Sequence, residues 1–212
     1  MRKRSLAETA AARGVRDARV LEAMRAVDRR DFVPAHLVDE AGRDEPLPIG
    51  DGQTTSQPSL IAQMLEAAEI GPHDRVLEVG TGFGYQTALL CHLAGEVVSI
   101  ERHARLAEAA RANLAAAGCE ARVEVGDGHE GVPDAAPYDA IVVSAATSAV
   151  PDAWVASLVE DGRLVVPVGG RGGQVVEVWR ARGGRLVDRR TLVPVRFVPL
   201  VRDDQSRSRG VT

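Results

Sequence analysis

Three acids and a run of glycines carry the chemistry that can be read first. Glu78 stands inside the apolar run Val76-Leu77-Glu78-Val79, and Gly80, Gly82 and Gly84 follow at alternate positions, with Thr81 between the first two. Alternate glycines let the main chain pass close to a ligand, because no Cβ intrudes and positive φ carries no steric penalty. Spacing then narrows the ligand. A dinucleotide turn, GxGxxG, uses its third glycine for close helix packing, and counted that way the third position here is Tyr85. The pattern is instead ExGxGxG, with an acid at the carboxyl end of its strand, where negative charge suits a cationic ligand and repels a pyrophosphate. Glu101 ends the next strand-like run, Val97-Val98-Ser99-Ile100-Glu101, and is placed to accept two ribose hydroxyls. Asp127-Gly128 follows a third such run. An acid and a backbone amide there suit the amino group and ring of adenine, although a plain Asp-Gly turn accounts for the same residues.

Other reactive side chains are set aside. His36, His73, His92, His103 and His129 have no metal-ligand spacing. Cys91 and Cys119 make neither a disulfide framework nor a CxxC metal site. The Arg180–Arg190 stretch contains Gly183-Gly184 between two β-rich runs, which reads as a solvated hairpin and not as an anion patch.

The elements that must hold these residues alternate. Strand-like runs at Val76–Val79, Val97–Ile100, Val123–Val125, Ala140–Val143 and Leu164–Val168 are separated by helical spacing up to Ala94, over Ala104–Ala117 and near Asp152–Leu158. That alternation predicts a parallel sheet covered by helices on both faces. Val175–Trp179, Leu186-Val187 and Val193–Val198 are β-rich with no helix between them, so antiparallel strands are expected to close the sheet. Upstream, Leu6–Val27 reads as a helix and Ser59–Ile70 as another, stopped by Gly71-Pro72. Between them, Pro46, Pro48, Gly50, Gly52 and Pro58 forbid a long helix or a central strand over residues 40–58, while Gln53-Thr54-Thr55-Ser56-Gln57 supplies hydroxyls and amides. A polar loop of this length is commonly functional.

At 212 residues, 45% hydrophobic and 3% aromatic, the chain can bury a sizeable core built of Val, Leu, Ala and Ile. A net charge of −4 gives no support for a nucleic-acid partner. The basic start, Met1-Arg2-Lys3-Arg4, leads into no continuous apolar run, so no signal peptide or membrane span is expected, and a reducing cytoplasm suits the two cysteines.

The acid-glycine-acid pairing resembles the S-adenosylmethionine (AdoMet) site of class I methyltransferases. A more particular resemblance, over roughly residues 10–201, rests on longer stretches. These are Arg25–Pro34, the loop Leu47–Pro58 with Thr54-Thr55-Ser56-Gln57-Pro58, Gly126–Gly131, Ala136–Ile141, Ala145-Ala146 with Val150-Pro151, Gly162–Gly169, and Arg196–Leu200. Together they are similar to the protein-L-isoaspartate (D-aspartate) O-methyltransferase family. The resemblance implies an α/β, Rossmann-like class I methyltransferase fold with a mostly parallel sheet, antiparallel C-terminal strands and a helical N-terminal extension. It implies one methyltransferase domain over 1–212, in which 1–58 form the cap and substrate loop, 59–201 the AdoMet-binding core, and 202–212 a frayed tail.

By the same resemblance the activity is methyl transfer from AdoMet to the free α-carboxylate of L-isoaspartyl and D-aspartyl residues in proteins or peptides, by a cytoplasmic monomer. Such a carboxylate, with an unperturbed pKa near ~4, is already ionised at neutral pH and needs no general base. Ser56 matches the family's active-site serine and is expected to orient the carboxylate; a hydroxyl capping the helix near Ser59 is the plainer role. Thr54 and Thr55, Ala145, and the main chain of Val168 and Gly169 are expected to line the peptide site. The cofactor falls to Glu78, Gly80, Thr81, Gly82, Gly84, Glu101, Asp127 and Gly128. Two positions depart from the family pattern, Ser59 and Gly42 standing where aromatic residues are usual. They leave open a carboxyl methyltransferase for one dedicated peptide or small molecule, and a non-catalytic AdoMet or peptide binder is a further alternative.

Overall fold

The computed structural model of the chain describes residues 4–170 and 172–202. The N-terminal helical stretch is two helices, α1 (Leu6–Ala12) and α2 (Ala18–Ala26), where the sequence suggests one. Gly14 takes φ 103°, which L side chains avoid, and Asp17 accepts from the N–H groups of Arg19 and Val20 to start a fresh helix. The proline- and glycine-rich segment holds a short antiparallel hairpin, β1 (Leu47–Gly50) and β2 (Gln53–Thr55), followed by α3 (Pro58–Ala67). Proline opens α3, where a missing N–H costs nothing.

The core then alternates as expected: β3 (Arg75–Val79), α4 (Tyr85–Leu93), β4 (Glu96–Glu101), α5 (Ala104–Ala116), β5 (Arg122–Val125), β6 (Tyr138–Val143), α6 (Asp152–Ala156), β7 (Leu158–Gly170), β8 (Gly173–Arg182) and β9 (Arg185–Val195). The seven strands lie in the order β5-β4-β3-β6-β7-β8-β9, parallel as far as β7, with β8 and β9 added antiparallel. Period-2 side-chain alternation splits the core. Val76, Val97, Ala140, Val142 and Val165 pack with residues of α1 to α5 on one face. Leu77, Val79, Val98, Ile100, Ile141 and Val143 pack with Trp154 of α6 on the other.

After β3 the chain builds outward through β4 and β5, then returns to add β6 on the opposite side of β3. The carboxyl ends of β3 and β6 thus border a topological switch point, the crevice where ligands bind in open α/β sheets. Of the frayed tail expected over 202–212, residues 203–212 lie outside the described residues.

Candidate active site

A cavity opens at that switch point, and its floor is the glycine turn. Gly80, Gly82 and Gly84 all have positive φ, at 97°, 58° and 94°. A Cβ on Gly80 would stand 3.3 Å from Cβ of Ser144, the first residue after β6, so the close approach of the β3 and β6 ends leaves a side chain there little room. Glu101 holds the turn open: its Oε2 accepts from Gly82 N at 2.9 Å and its Oε1 from His103 N at 3.0 Å. Gly80, Thr81, Gly82, Glu101 and Gly128 line the cavity. Gly84 does not. It caps α4 in the left-handed conformation, and a Cβ there would press on Leu114.

Glu78 behaves differently from the sequence expectation of direct contact with a cationic ligand. It is fully buried and stands behind the cavity wall. Ser99 Oγ donates to its Oε2 at 2.6 Å, Gln86 Nε2 to its Oε1 at 3.0 Å, and Thr87 Oγ1 adds a third bond. Burial pushes its carboxyl up to about 7, a rise that the nearby Glu101 charge favours and the three donors oppose. Thr81 Oγ1 lies 2.6 Å from Ser99 Oγ, and Gln86 Nε2 also donates to Ser144 Oγ at 3.0 Å. A continuous polar network therefore runs under the turn from β4 to β6. Asp127 is likewise engaged: its Oδ1 meets both the backbone N and Nδ1 of His129 at 2.9 Å, beside Gly128.

The lip opposite the turn is the β1–β2 hairpin. Thr54, Thr55 and Ser56 line the cavity, and Ile49 reaches to 3.1 Å from where a Gly82 Cβ would sit. Ser56 Oγ makes no hydrogen bond among the described residues, so the helix-capping role does not occupy it. The cap of α3 comes from Asp44, whose carboxylate accepts from Ser59 N, Ser59 Oγ and Gln57 Nε2, each at 2.8 Å. Burial alone would raise Asp44, yet these bonds and Arg13 at 3.0 Å hold it below the ordinary carboxylate range. Ser59, where the family pattern has an aromatic residue, is thus buried against Asp44. Arg29 pins the lip from beneath. Only 2% exposed, its guanidinium donates to the carbonyls of Arg43 (2.8 Å), Glu45 (2.9 Å), Ala41 (3.3 Å) and Ser56 (3.3 Å), and burial lowers its pKa. No local pattern in the sequence marks Arg29 or Asp44, because their partners are backbone groups or residues far along the chain.

The roof is the strand-like segment after β9. Ala146 N donates to Val198 O at 2.8 Å, Leu200 N to Ala146 O at 2.7 Å, and Arg102 Nη1 to Val201 O at 3.0 Å, so residues 198–201 cross the mouth from the β6 end to the β4 end. Gln174 grips both backbone groups of Phe197, accepting from its N at 2.6 Å and donating to its O at 3.2 Å. Ala145 lines the cavity, whereas Val168 and Gly169 sit outside it; Gly169 N donates to Thr147 O at 2.9 Å, and Gly169 borders a separate outer cleft with Arg196. A second cleft, walled by Pro46, Leu60, Val195 and Phe197, shares Thr54, Ser56, Ser144 and Val198 with the central cavity. The two meet along these four residues, Ser56 among them.

Residues 1–205 match the model of the family described as Protein-L-isoaspartate(D-aspartate) O-methyltransferase (PCMT). The chain belongs to this family. Among its relatives, the protein-L-isoaspartate O-methyltransferase of Methylorubrum populi is 54% identical over 201 residues, 95% of either chain. That of Methanoculleus marisnigri is 53% identical over 191 residues, covering 90% of this chain and 86% of its own. A solved protein-L-isoaspartate O-methyltransferase superposes with a TM-score of 0.86 at 29% identity, over 96% of this chain and 68% of its own. A PCMT from Plasmodium falciparum, solved with S-adenosyl-L-homocysteine (AdoHcy), has a TM-score of 0.81 at 24% identity, over 92% of this chain and 96% of its own.

Among the described residues of this PCMT-family chain, three buried side-chain atoms have no hydrogen-bond partner: Arg29 Nε, Tyr85 Oη and Gln86 Oε1. Tyr85 and Gln86 both line the central cavity, and the Arg29 guanidinium lies 5.8 Å from the Tyr85 ring centroid. Burial pushes the Tyr85 phenol up to about 12, so it stays neutral at any physiological pH. Among the described residues no cluster of His, Cys, Asp and Glu could hold a metal ion, and no helix is long and apolar enough to cross a membrane.

Proposed function

We propose that this chain transfers the methyl group of AdoMet to the free α-carboxylate of L-isoaspartyl and D-aspartyl residues in damaged proteins or peptides, forming a methyl ester. The observation that carries the reading is the junction of the two clefts: a cavity floored by glycines adjoins a cleft of mixed apolar and polar walls, and Ser56, whose hydroxyl has no hydrogen bond among the described residues, lines both.

AdoMet supplies an electrophilic sulfonium methyl when bound. Glu101 at the end of β4 accepts from the ribose hydroxyls, and Asp127 and Gly128 after β5 take the adenine edge. Gly80, Thr81 and Gly82 would give the backbone surface that holds the cofactor's amino-acid chain, while Gly84 sets the start of α4. The peptide occupies the second cleft with its carboxylate turned inward. Ser56 would donate to one carboxylate oxygen and fix its orientation, leaving the other oxygen free to react. Thr54, Thr55 and Ala145 complete the wall, and Val168 and Gly169 support the peptide further out. The carboxylate, with an ordinary pKa near ~4, arrives ionised, so the residues' task is alignment. Alignment of this kind is worth on the order of 7–11 kcal/mol in favourable cases. The strap of residues 198–201 and the hairpin lip keep water from the aligned pair. The whole chain acts as one unit, a cytoplasmic monomer without nucleic-acid or membrane partners, in keeping with its free cysteines and net charge of −4.

Labelled methyl transfer to an isoaspartyl peptide, with the aspartyl peptide as control, tests the reading. Base-labile label on the first alone is the expected result; equal label on both, or none, overturns it. Ser56→Ala is expected to lower turnover about tenfold or more, the worth of a hydrogen bond to a charged group, with AdoMet affinity unchanged. A collapse of AdoMet affinity instead would make the serine structural.

A further inference from the structure

Gln86 is the second residue of α4, 5% exposed, and part of the cavity wall. Both hydrogens of its amide nitrogen are committed, one to Glu78 Oε1 and one to Ser144 Oγ, each at 3.0 Å. Ionised Glu78 only accepts, and in that form it fixes which end of the amide turns inward. The opposite atom, Oε1, is buried and unpartnered. Buried polar atoms are almost always paired, and one left open in a ligand cavity is a vacancy for a donor. Of the three unpaired buried atoms among the described residues it is the one that can accept but never donate.

Which donor it takes follows from the order of the strands. Gly128 follows β5, Glu101 ends β4, Gly80 follows β3 and Ser144 follows β6, so the four positions stand side by side along the carboxyl edge, roughly 14 Å end to end at ~4.8 Å per strand. If adenine lies at β5 and ribose at β4, the sulfur lies near β3 and the amino-acid end reaches β6, where Gln86 and Ser144 are joined. The donors of adenine and ribose are then already matched. The α-ammonium remains.

The geometry points to Gln86 as a cofactor-binding residue whose Oε1 accepts a hydrogen bond from the α-ammonium of AdoMet and of AdoHcy, with Glu78 and Ser144 as positioning residues that aim it. The inference rests on the proposed cofactor site. It also gives Glu78 a role at one remove: the carboxylate is too deep to touch the ligand, and the amide presents its negative end in the carboxylate's place.

The test is titration calorimetry with AdoHcy and with the analogue in which hydrogen replaces its α-amino group. Wild-type protein should prefer AdoHcy by about 10-fold or more, as expected for one hydrogen bond to a charged group. Gln86→Met, of similar length and volume, should lose that preference by binding AdoHcy weakly and the des-amino analogue as before. Retained preference, or equal weakening of both ligands, overturns the assignment. Should Gln86→Met not fold, Ser144→Ala frees one of the amide's two anchors and must narrow the preference several-fold; an unchanged preference overturns the assignment as well. Glu101→Ala separates this from the site itself. It should weaken both ligands alike while the preference persists, whereas AdoHcy binding indifferent to Glu101 overturns the cofactor site and the Gln86 role with it.

Discussion

The glycine turn after β3 and the Thr54–Ser56 lip face each other across one cavity, yet different forces hold them in place. The turn is an extension of the parallel sheet: β3 is paired along its length with β4 and β6, and Glu101, the last residue of β4, binds the turn directly. The lip belongs to a two-stranded hairpin outside the main sheet, fixed by one buried guanidinium beneath it and one carboxylate behind it. Sheet pairing spreads its cohesion over many backbone bonds. Side-chain pins concentrate it in a few atoms. The cofactor end should therefore resist single substitutions that loosen the substrate end, and the two ends should be separable by mutation.

Arg29→Leu is the strongest test of that separation. It strips partners from four backbone carbonyls in and beside the lip, and an unmet buried acceptor costs about 1–3 kcal/mol. A stability loss of about 3 kcal/mol or more is expected in thermal or urea unfolding. In the protein that remains folded, KM for an isoaspartyl peptide should rise well beyond any change in AdoHcy Kd. Equal losses at both ends would show one shared frame. The reciprocal break is Glu101→Ala. It removes the proposed ribose acceptor and the carboxylate that Gly82 N and His103 N bond, and about 2–3 kcal/mol, or ~100-fold in AdoMet Kd by calorimetry, is the expected effect. Peptide KM at saturating AdoMet should scarcely move.

How legible each end is in the sequence follows from the same difference. β3 to β7 and the ExGxGxG turn could be read directly, because burial on both faces writes continuous apolar runs and positive φ writes glycine, each within a few residues. Glu78, Glu101 and Asp127 were found by charge at strand ends, but the charge of Glu78 revealed nothing of Ser99, Thr87 and Gln86, which fill its oxygens. A serine in the apolar run of β4 and polar residues at the first turn of α4 were the available signals. At the lip, Arg29 bonds carbonyls 12 to 27 positions away, and a carbonyl is the same in every residue, so no residue type marks the contact. The break between α1 and α2 was written in Gly14 and Asp17, and was masked by the apolar spacing on either side of them.

A smaller effect sharpens the account of the lip. Asp44→Ala removes the long-range cap of α3 and should cost about 1–2 kcal/mol, in the range of helix N-cap losses. Because Ser59 and Gln57 lose their acceptor together, Ser56 just ahead of them should also be held less firmly. A severalfold fall in kcat/KM for peptide with an unchanged AdoHcy Kd is expected. If stability falls and kcat/KM does not, the position of Ser56 is set by Arg29 and the hairpin without help from the cap.

The last effect lies at the cofactor end and is read from pH. Glu78 is raised to about 7 by burial, with Glu101 the neighbouring carboxylate that reinforces the rise and Cys91 the titratable group on the far side, kept neutral by its own burial. A carboxyl raised on folding favours the protonated native state, so its contribution to apo stability is complete at low pH and is lost as pH climbs from the ordinary 4.5 through 7. Binding has the opposite sign. A cationic ammonium on Gln86 favours ionised Glu78, which is about 10% of the apo protein at pH 6 and about 90% at pH 8. AdoHcy affinity should therefore rise by roughly tenfold, at most, between those pH values, with proton release that calorimetry in two buffers of different ionisation enthalpy would detect. Glu78→Gln removes the titration and keeps a hydrogen-bonding side chain of the same length. Its AdoHcy affinity should lose that tenfold dependence while other titrating groups keep theirs, so the difference between the two profiles isolates the carboxylate. Identical profiles would leave Glu78 as a structural anchor of α4 and β4 whose charge the ligand does not feel.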